Sequence, residues 1–195
     1  MKVEALTLEG THVRLEPLAE GHHAALSAVG LDDELWRLIP KPVRSAADMA
    51  AYIAFALGEQ AAGRALPFAI VDRATGQPIG STRYMAIEPA HRRVEIGSTW
   101  LARAWQRTAA NTEAKYLLLR HAFEVLGCIR VELKTDALNE RSRAAIRRIG
   151  AKEEGILRSH MITASGRIRD SVYYSILAGE WPAVKAALER KLKIV

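Results

Sequence analysis

The chain has 195 residues, 49% of them hydrophobic and 26% charged, which is typical of a globular protein with enough apolar material for a core. No run of about 18 apolar residues is present, and residues 1–10 lack the pattern of a signal peptide, so we expect a cytoplasmic protein without a membrane-spanning helix. The net charge of +6 fits a polyanionic partner, such as a nucleotide, an acidic peptide or nucleic acid, and equally fits a surface solvated by arginine.

Alternating patterns and turn residues predict the elements of the first part of the chain. Residues 7–18, TLEGTHVRLEPL, predict a strand or hairpin, and a short helix should follow over Ala19–Val29. Ser45 and Asp48 have the spacing of a capping box and predict a second helix that ends near Gly63.

Three strands are predicted next. LPFAIVD at 66–72 and PIGSTRYMAI at 78–87 flank the loop RATGQ, which indicates a hairpin. RRVEIGSTWL at 92–101 alternates again and predicts the third strand.

A largely buried helix is predicted from Thr112 to about Leu126. Its clear polar stripe consists of Glu113, Arg120 and Glu124 alone. IRVELKTD at 129–136 then predicts a short strand.

The last part of the chain predicts a helix, a hairpin and a tail. NERSRAAIRRIG at 139–150 should be a helix closed by its glycine, and the segments 153–162 and 167–177 should pair as a hairpin around TASG. A basic amphipathic tail follows Trp181. The order of elements predicts a mixed sheet with helices packed on it.

The segment QRTAANTEAKY, residues 106–116, joins a predicted strand to a predicted helix. The first amides of a helix have no partner within it, and the helix start carries partial positive charge, so such a junction suits a phosphate or pyrophosphate. The small residues 108–110 would let an anion approach these amides. The alternative is an ordinary helix start capped by Asn111 or Thr112.

This segment resembles the acyl-CoA pyrophosphate loop of the GCN5-related N-acetyltransferase (GNAT) superfamily, whose pattern is Gln/Arg-x-x-Gly-x-Gly/Ala at the start of a helix. Gln106 matches the first position, and TEA at 112–114 matches the residues after this loop in the ribosomal-protein (RimL/RimJ-like) branch. Ala109 and Asn111 depart from the pattern. An alanine is tolerated there only if its backbone conformation is ordinary.

Further segments resemble the same family in the family's order and cover nearly the whole chain. They are GTHVRLEPL at 10–18, VEIGSTWL at 94–101 and LNERSRAAIRRIGAKEEGILR at 138–158. The resemblance implies a single GNAT domain over residues 1–195, with a C-terminal helical tail over about 181–195. It implies an α+β fold with a mostly antiparallel central sheet that splays in the middle and has helices on both faces.

The resemblance also implies an acetyl-CoA-dependent N-acetyltransferase that transfers an acetyl group directly to a primary amine in a ternary complex. The pantetheine arm would lie in the splay, and the pyrophosphate would lie on the amides of residues 107–112. The cofactor-binding residues expected from the resemblance are Trp100, Leu101, Gln106, Arg107, Thr108, Ala109, Ala110, Asn111, Thr112 and Asn139. No metal is expected, because no pair of histidines has a ligand spacing with a suitable third group.

Direct transfer needs a group that accepts the amine proton, donors for an oxyanion and an acid for the departing thiolate. Glu95 is the candidate base, on a strand face that it should share with Gly97 and Thr99. The alternative is a merely polar position, or an ion pair with Arg93 or another arginine.

Ser142 is the candidate acid. It shares a helical face with Ala145, Ile146 and Ile149 and should point inward, where the matching serine of similar enzymes is proposed to protonate the thiolate. The alternative is a hydroxyl bonded to a carbonyl of its own helix. Asn139 fits both a helix cap and a pantetheine contact.

The acceptor amine is constrained by its pKa. An α-amino group has a pKa near 8, whereas a lysine side chain at neutral pH needs about 4 kcal/mol for deprotonation, which favours a peptide or protein N-terminus over lysine. The same branch also includes enzymes that act on small amines. Trp36, Ile39 and Pro40 either line an acceptor pocket or pack as ordinary core residues, and we favour packing.

An alternative function is a catalytically silent acyl-CoA-binding or regulatory module with the same fold. A nucleic-acid-binding protein is disfavoured, because no strand pattern of aromatic and basic residues, such as an RNP motif, is present. Cys128 is the only cysteine, so an internal disulfide is excluded, and its apolar neighbours favour a packed thiol over a nucleophile. The closing hairpin and the basic tail could support a homodimer.

Overall fold

A computed structural model describes residues 1–194 as one eight-stranded sheet with helices on it. The strands are β1 (Leu8–Glu9), β2 (Val13–Pro17), β3 (Leu66–Asp72), β4 (Pro78–Glu88), β5 (Arg93–Leu101), β6 (Arg130–Asp136), β7 (Lys152–Ile162) and β8 (Ile168–Leu177). Their spatial order is β1-β2-β3-β4-β5-β6-β8-β7, and every neighbouring pair is antiparallel except β5 and β6. The predicted mixed, mostly antiparallel sheet is confirmed.

The helices are α1 (His23–Gly30), α2 (Asp33–Trp36), α3 (Ala46–Ala61), α4 (Ala109–Arg120), α5 (Glu140–Arg148) and α6 (Trp181–Leu192). The predicted cap of α3 is confirmed, since the Ser45 side chain accepts a hydrogen bond from the Asp48 amide at 3.1 Å. The predicted start of the first helix at Ala19 is wrong, because residues 20–22 form a 3₁₀ turn ahead of α1. The sequence did not predict α2, which is a single turn capped by Asp32.

Different helices cover the two faces of the sheet, and β3 shows the division. Phe68 and Ile70 pack in a cluster with residues of α4, α5 and α6, whereas Ala69 and Val71 pack in a second cluster with residues of α1, α2 and α3. Successive residues of a strand point to opposite faces, so the two clusters lie on opposite sides of the sheet. The predicted placement of helices on both faces is confirmed.

Helix α4 is the most enclosed helix, and its polar stripe differs from the prediction. Glu113 is fully buried, so its expected exposure beside Arg120 and Glu124 is wrong. Its carboxylate accepts hydrogen bonds from the three consecutive amides of residues 11–13, at 2.8, 2.6 and 2.7 Å. Glu113 therefore anchors the turn between β1 and β2 on α4.

The C-terminal helix packs against the second half of the α4 segment. The Trp181 ring stacks on Phe123 with 5.4 Å between centroids. Helix α6 spans Trp181–Leu192, and the last residue of the predicted tail, 195, lies outside the described residues. Cys128 is buried, and that burial raises the pKa of its thiol to about 11, which confirms a packed thiol. Within residues 1–194, no helix combines the length and the apolar character needed to cross a bilayer.

Candidate active site

The parallel pair β5 and β6 separates after three residue pairs. Residues 93–95 oppose residues 130–132, and from Ile96 onward β5 has no partner on that side. A cavity of about 390 Å³ lies in this fork, lined by the end of β5, the start of α4 and α5. The predicted splay is confirmed, and its volume is in the range of small-molecule sites.

A bulge in β5 shapes the wall of the cavity. Arg83 opposes Gly97, whereas Ser81 opposes Trp100, so β5 has one extra residue between these pairs. Ser98 adopts a φ of 47° there, in the left-handed region. The bulge exchanges the faces to which the following residues point.

The bulge corrects the predicted neighbours of Glu95. Gly97 shares the face of Glu95, since a Cβ on Gly97 would lie 3.0 Å from Glu95 Oε1. Thr99 does not share it, because its hydroxyl accepts a hydrogen bond from Lys115 of α4, on the opposite face. The Trp100 side chain points the other way, into the cluster of α1 to α3, with its ring 5.4 Å from that of Trp36.

Helix α4 begins at Ala109, earlier than the predicted start at Thr112. Thr108 is the N-cap, and its Oγ1 accepts a hydrogen bond from the Ala110 amide at 3.2 Å. The alternative in which Asn111 or Thr112 caps the helix is therefore wrong.

The residue with left-handed backbone in this junction is Arg107, with a φ of 63°. Ala109 is already the first residue of the helix, so alanine in place of the family's glycine causes no backbone strain there. Gln106, Arg107 and Asn111 line the cavity. The helix start therefore presents its amides and a cationic side chain at the cavity's edge.

Gln106 connects the end of β5 to α5. Its Nε2 donates to the Leu101 carbonyl at 3.0 Å, and its Oε1 accepts from Arg141 Nη1 at 2.8 Å. Sequence analysis did not single out Arg141, which lines the cavity and adds a second cation near Arg107. The sequence feature that could have pointed to Arg141 as a site residue is that it is one of four arginines in one helix.

Asn139 and Ser142 meet at the start of α5. Asn139 caps the helix, as expected, because its side-chain oxygen accepts from the Ser142 amide at 3.0 Å. Both residues line the cavity. Among the described residues, no carbonyl accepts a hydrogen bond from the Ser142 hydroxyl, which leaves that hydroxyl available to a ligand.

Glu95 is buried, and its carboxylate lies 3.4 Å from Lys134 Nζ. The alternative ion pair of Glu95 with Arg93 is not formed, because Arg93 contacts Glu132 and Glu95 pairs with Lys134. Burial raises the pKa of Glu95, and the charge of Lys134 opposes that rise. Glu95 lies just behind the cavity wall, where Lys134 and Gly97 line the cavity.

Lys115 is a buried cation that sequence analysis missed. Its Nζ donates to the hydroxyls of Thr99 and Thr82, at 2.5 and 3.4 Å, and the residue lines the cavity. Burial lowers the pKa of Lys115 to about 7. A lysine within an otherwise apolar helical segment was the signal available in the sequence.

The loop after α2 covers one side of the cavity. Ile39 and Pro40 line the cavity, whereas Trp36 packs in the core and donates from its indole to the Gly30 carbonyl at 2.7 Å. The favoured expectation of ordinary packing is confirmed for Trp36. Ile39 both packs against the same core cluster and lines the cavity, whereas Pro40 lines the cavity. The Pro40 carbonyl accepts a hydrogen bond from the Ala164 amide at 2.9 Å, which ties this loop to the β7–β8 hairpin.

Comparisons with known proteins agree with this architecture. The family model described as Acetyltransferase (GNAT) domain matches residues 12–152. A GCN5-related N-acetyltransferase from Brucella melitensis is 34% identical, with a TM-score of 0.91 over 97% of this chain and 86% of that chain. Mycobacterium smegmatis RimJ, solved in complex with CoA-disulfide, is 26% identical, with a TM-score of 0.78 over 97% of this chain and 94% of that chain.

A curated relative, the candidate ribosomal N-acetyltransferase YdaF of Bacillus subtilis (strain 168), is 37% identical over 99 residues. That match covers 51% of this chain and 53% of YdaF, so the chain spans about half the length of this relative. The family match covers most of the chain and includes the fork, the start of α4 and α5. The chain therefore belongs to the GNAT acetyltransferase family and resembles its RimJ/RimL-like branch.

Proposed function

We propose that this protein is an acetyl-CoA-dependent N-acetyltransferase that acts by direct transfer to a primary amine, with a peptide or protein N-terminus favoured over a small amine. The observation that carries the proposal is the fork, where β5 from Gly97 to Thr99 has no neighbouring strand on the side of β6 and borders the cavity. An extended chain with amide groups pairs readily with such an edge. The relative RimJ binds a CoA derivative, which supports the same ligand class.

The residues around the cavity fit an acyl-CoA. The small side chains of residues 108–110 suit the approach of a diphosphate to the helix start, where the Ala110 amide already donates to Thr108 Oγ1. Arg107 and Arg141, which line the cavity, add positive charge. We assign cofactor binding to the residues expected from the resemblance, namely Trp100, Leu101, Gln106, Arg107, Thr108, Ala109, Ala110, Asn111, Thr112 and Asn139, and add Arg141.

Bound acetyl-CoA would supply the acetyl group as a thioester. In our proposal Glu95 accepts a proton from the amine while the nitrogen–carbon bond forms, and Ser142 donates its proton to sulfur while the carbon–sulfur bond breaks. The proton on Glu95 then replaces the one that Ser142 has lost, so both residues return to their starting states. Because Glu95 lies behind Gly97 and Lys134, we propose that the amine proton reaches Glu95 through water in the cavity. The raised pKa that burial gives Glu95 makes its carboxylate a stronger base than an exposed one.

Thiol release measured over a panel of acceptors tests the proposal. The panel contains peptides with free N-termini, lysine blocked at its α-amino group, polyamines and aminoglycosides, and mass spectrometry locates the added acetyl group. We expect saturable acetyl-CoA binding by calorimetry and acetylated peptide N-termini. Binding without transfer to any amine would identify a silent acyl-CoA-binding module, and no binding would reject both functions.

Matched variants separate catalysis from folding. Glu95→Gln and Ser142→Ala should each lower kcat by about 10²-fold or more, with little change in the Kd of acetyl-CoA. Glu4→Gln and Ser165→Ala make the same chemical changes at exposed positions outside the cavity and serve as controls. An equal loss of kcat in a site variant and in its control would reject the catalytic role assigned to that site residue.

We also propose that the enzyme is a cytoplasmic homodimer formed through β7. This edge strand pairs with β8 alone, and Ile156 and Leu157 are each 48% exposed on it. Exposed apolar side chains on an edge strand suit a second strand of the same kind. Light scattering should show a dimer for the purified wild-type chain and a monomer for Ile156→Lys. A monomeric wild type would reject the proposed homodimer.

A further inference from the structure

Arg83 is a buried cation outside the catalytic residues named above. It lies on β4 with 3% of its surface exposed, and its Nε has no hydrogen-bond partner within residues 1–194. No carboxylate of the described chain lies within salt-bridge distance of its guanidinium. The guanidinium carbon of Arg83 lies 5.0 Å from the centroid of the Tyr52 ring, which is a cation–π contact.

A buried charge without a counter-ion is unfavourable unless a partner arrives. The charge of Arg83 contributes to the lowered pKa of Glu59, after the larger effect of Arg64. The Glu59 carboxylate is already held by two hydrogen bonds from Arg64, at 3.1 and 2.6 Å. Arg83 is therefore left without an anion of its own.

The position of Arg83 relates it to the candidate base. Arg83 opposes Gly97, and the next pair on this face is Met85 and Glu95, so Arg83 and Glu95 are diagonal neighbours on one face of the β4–β5 ladder. Gly97 confirms the shared face, since a Cβ on it would meet both Met85 Sδ at 2.5 Å and Glu95 Oε1 at 3.0 Å.

The surroundings of Arg83 lead to the cavity. The Tyr52 hydroxyl donates to the Ser98 carbonyl at 3.4 Å, at the bulge that lines the cavity. Arg83, Tyr52 and Met85 are not among the residues that line the cavity, but Gly97, which opposes Arg83, does line it. Tyr52 and Met85 are only partly buried, so these two side chains separate the guanidinium from the edge of the cavity without enclosing it in the core. An acceptor whose amine reaches the edge of β5 would thus carry its other groups toward Arg83.

We propose that Arg83 binds a carboxylate of the acceptor, so that the preferred substrate is a primary amine carrying a carboxylate a few bonds from its nitrogen. This inference rests on the proposed acetyltransfer. Two sources have this chemistry: a peptide that begins with Asp or Glu, and a free α-amino acid. Arginine binds carboxylates through two parallel hydrogen bonds, which gives both affinity and orientation.

Isosteric acceptor pairs test the inference without any variant. Peptides that begin with Asp and with Asn are compared in one arm, and alanine and alaninamide in the other, each by kcat/KM at saturating acetyl-CoA. We expect the acid to be preferred about 10-fold or more over its amide in one arm, and that arm identifies the source. Equal rates for acid and amide in both arms would overturn the inference and leave the proposed acetyltransfer intact, whereas no transfer to any amine would reject both.

Variants assign the preference to Arg83. Arg83→Gln should reduce the acid-to-amide ratio of kcat/KM to near 1, and Arg83→Lys should retain part of it because the charge stays. Arg73→Gln removes an exposed arginine near the β3–β4 loop and should leave the ratio unchanged. An acid-to-amide ratio of kcat/KM that is unchanged in Arg83→Gln would overturn the assignment of the preference to Arg83. If Arg83→Gln does not fold, the same ratio measured in Arg83→Lys and in wild type tests the assignment.

Discussion

The ammonium nitrogen of Lys115 lies 2.5 Å from the hydroxyl oxygen of Thr99, inside the interface between α4 and the sheet. Burial alone, without a carboxylate partner among the described residues, lowers the pKa of Lys115 to about 7. The two threonine hydroxyls on this face give the amine polar contacts and no compensating charge. Lys115 is therefore close to half-neutral at physiological pH.

Replacing Lys115 by methionine should stabilise the protein most at low pH. The pKa of Lys115 is about 7 in the folded state and about 10.4 in the unfolded state, so the folded protein binds fewer protons between these values and wild-type stability rises with pH across them. The gain in the free energy of unfolding of Lys115→Met over wild type should be largest below about pH 7. It should shrink by about 2 kcal/mol toward pH 9. Urea unfolding at several pH values measures this.

Lys41→Met is the matched control, because Lys41 is exposed in the loop after α2. Its unfolding free energy relative to wild type should not vary with pH. A Lys115→Met advantage that is constant with pH would contradict the assigned pKa.

Replacing Glu113 by alanine should destabilise the fold strongly. The three amides of residues 11–13 would lose their acceptor, one of them fully buried, at a cost of about 3 kcal/mol or more. Thermal unfolding followed by circular dichroism measures the loss. Glu4→Ala removes an exposed carboxylate as a control, and similar melting temperatures for the two variants would refute the anchoring role of Glu113.

The sequence predicted the succession of strands along the chain and the largest helices, because these depend on local periodicity, whereas the fork was implied by the resemblance to the family. It placed Thr99 on the wrong face, since one extra residue at Ser98 reverses every later position and no side-chain pattern marks that bulge. It also placed the start of α4 too late, because Thr108 caps the helix as well as Asn111 would have done.

The charged residues of α4 show a second limit of prediction from local sequence patterns. Periodicity placed Glu113 in a polar stripe, but its partners are amides about 100 residues earlier in the chain. Lys115 was overlooked for the same reason, since its contact with Thr99 joins two elements only after folding. Charged residues buried by tertiary contacts cannot be separated from surface ones by local pattern.

Glu95 should control the acid limb of the pH profile. Burial raises the pKa of Glu95 above its ordinary value, so kcat/KM should fall as the pH drops through that raised pKa and the carboxylate takes up a proton. Lys134→Met should move the limb to higher pH, because Lys134 is the charge that holds the pKa of Glu95 down. Initial rates with one peptide acceptor across pH measure the limb.

The limb should persist in Ser142→Ala at its wild-type position and disappear in Glu95→Gln. A Glu95→Gln enzyme with an unchanged acid limb would show that another group is the base.

Gly97→Ala should impair catalysis more than folding. The added Cβ would lie 2.5 Å from Met85 Sδ and 3.0 Å from Glu95 Oε1, so one or both side chains must move. Gly97 does not have a positive φ, and Met85 is partly exposed and flexible, so the loss of stability should be small. Displacement of the base by a fraction of an ångström should lower kcat by about 10- to 100-fold.

The double variant Gly97→Ala with Met85→Ala identifies which contact is responsible. Removing the thioether gives the new methyl group space on one side, yet leaves it against Glu95. If kcat stays low in the double variant and the Kd of acetyl-CoA is unchanged, displacement of Glu95 explains the loss. If kcat recovers, the Met85 contact is the cause, and Glu95 tolerates a methyl group beside it.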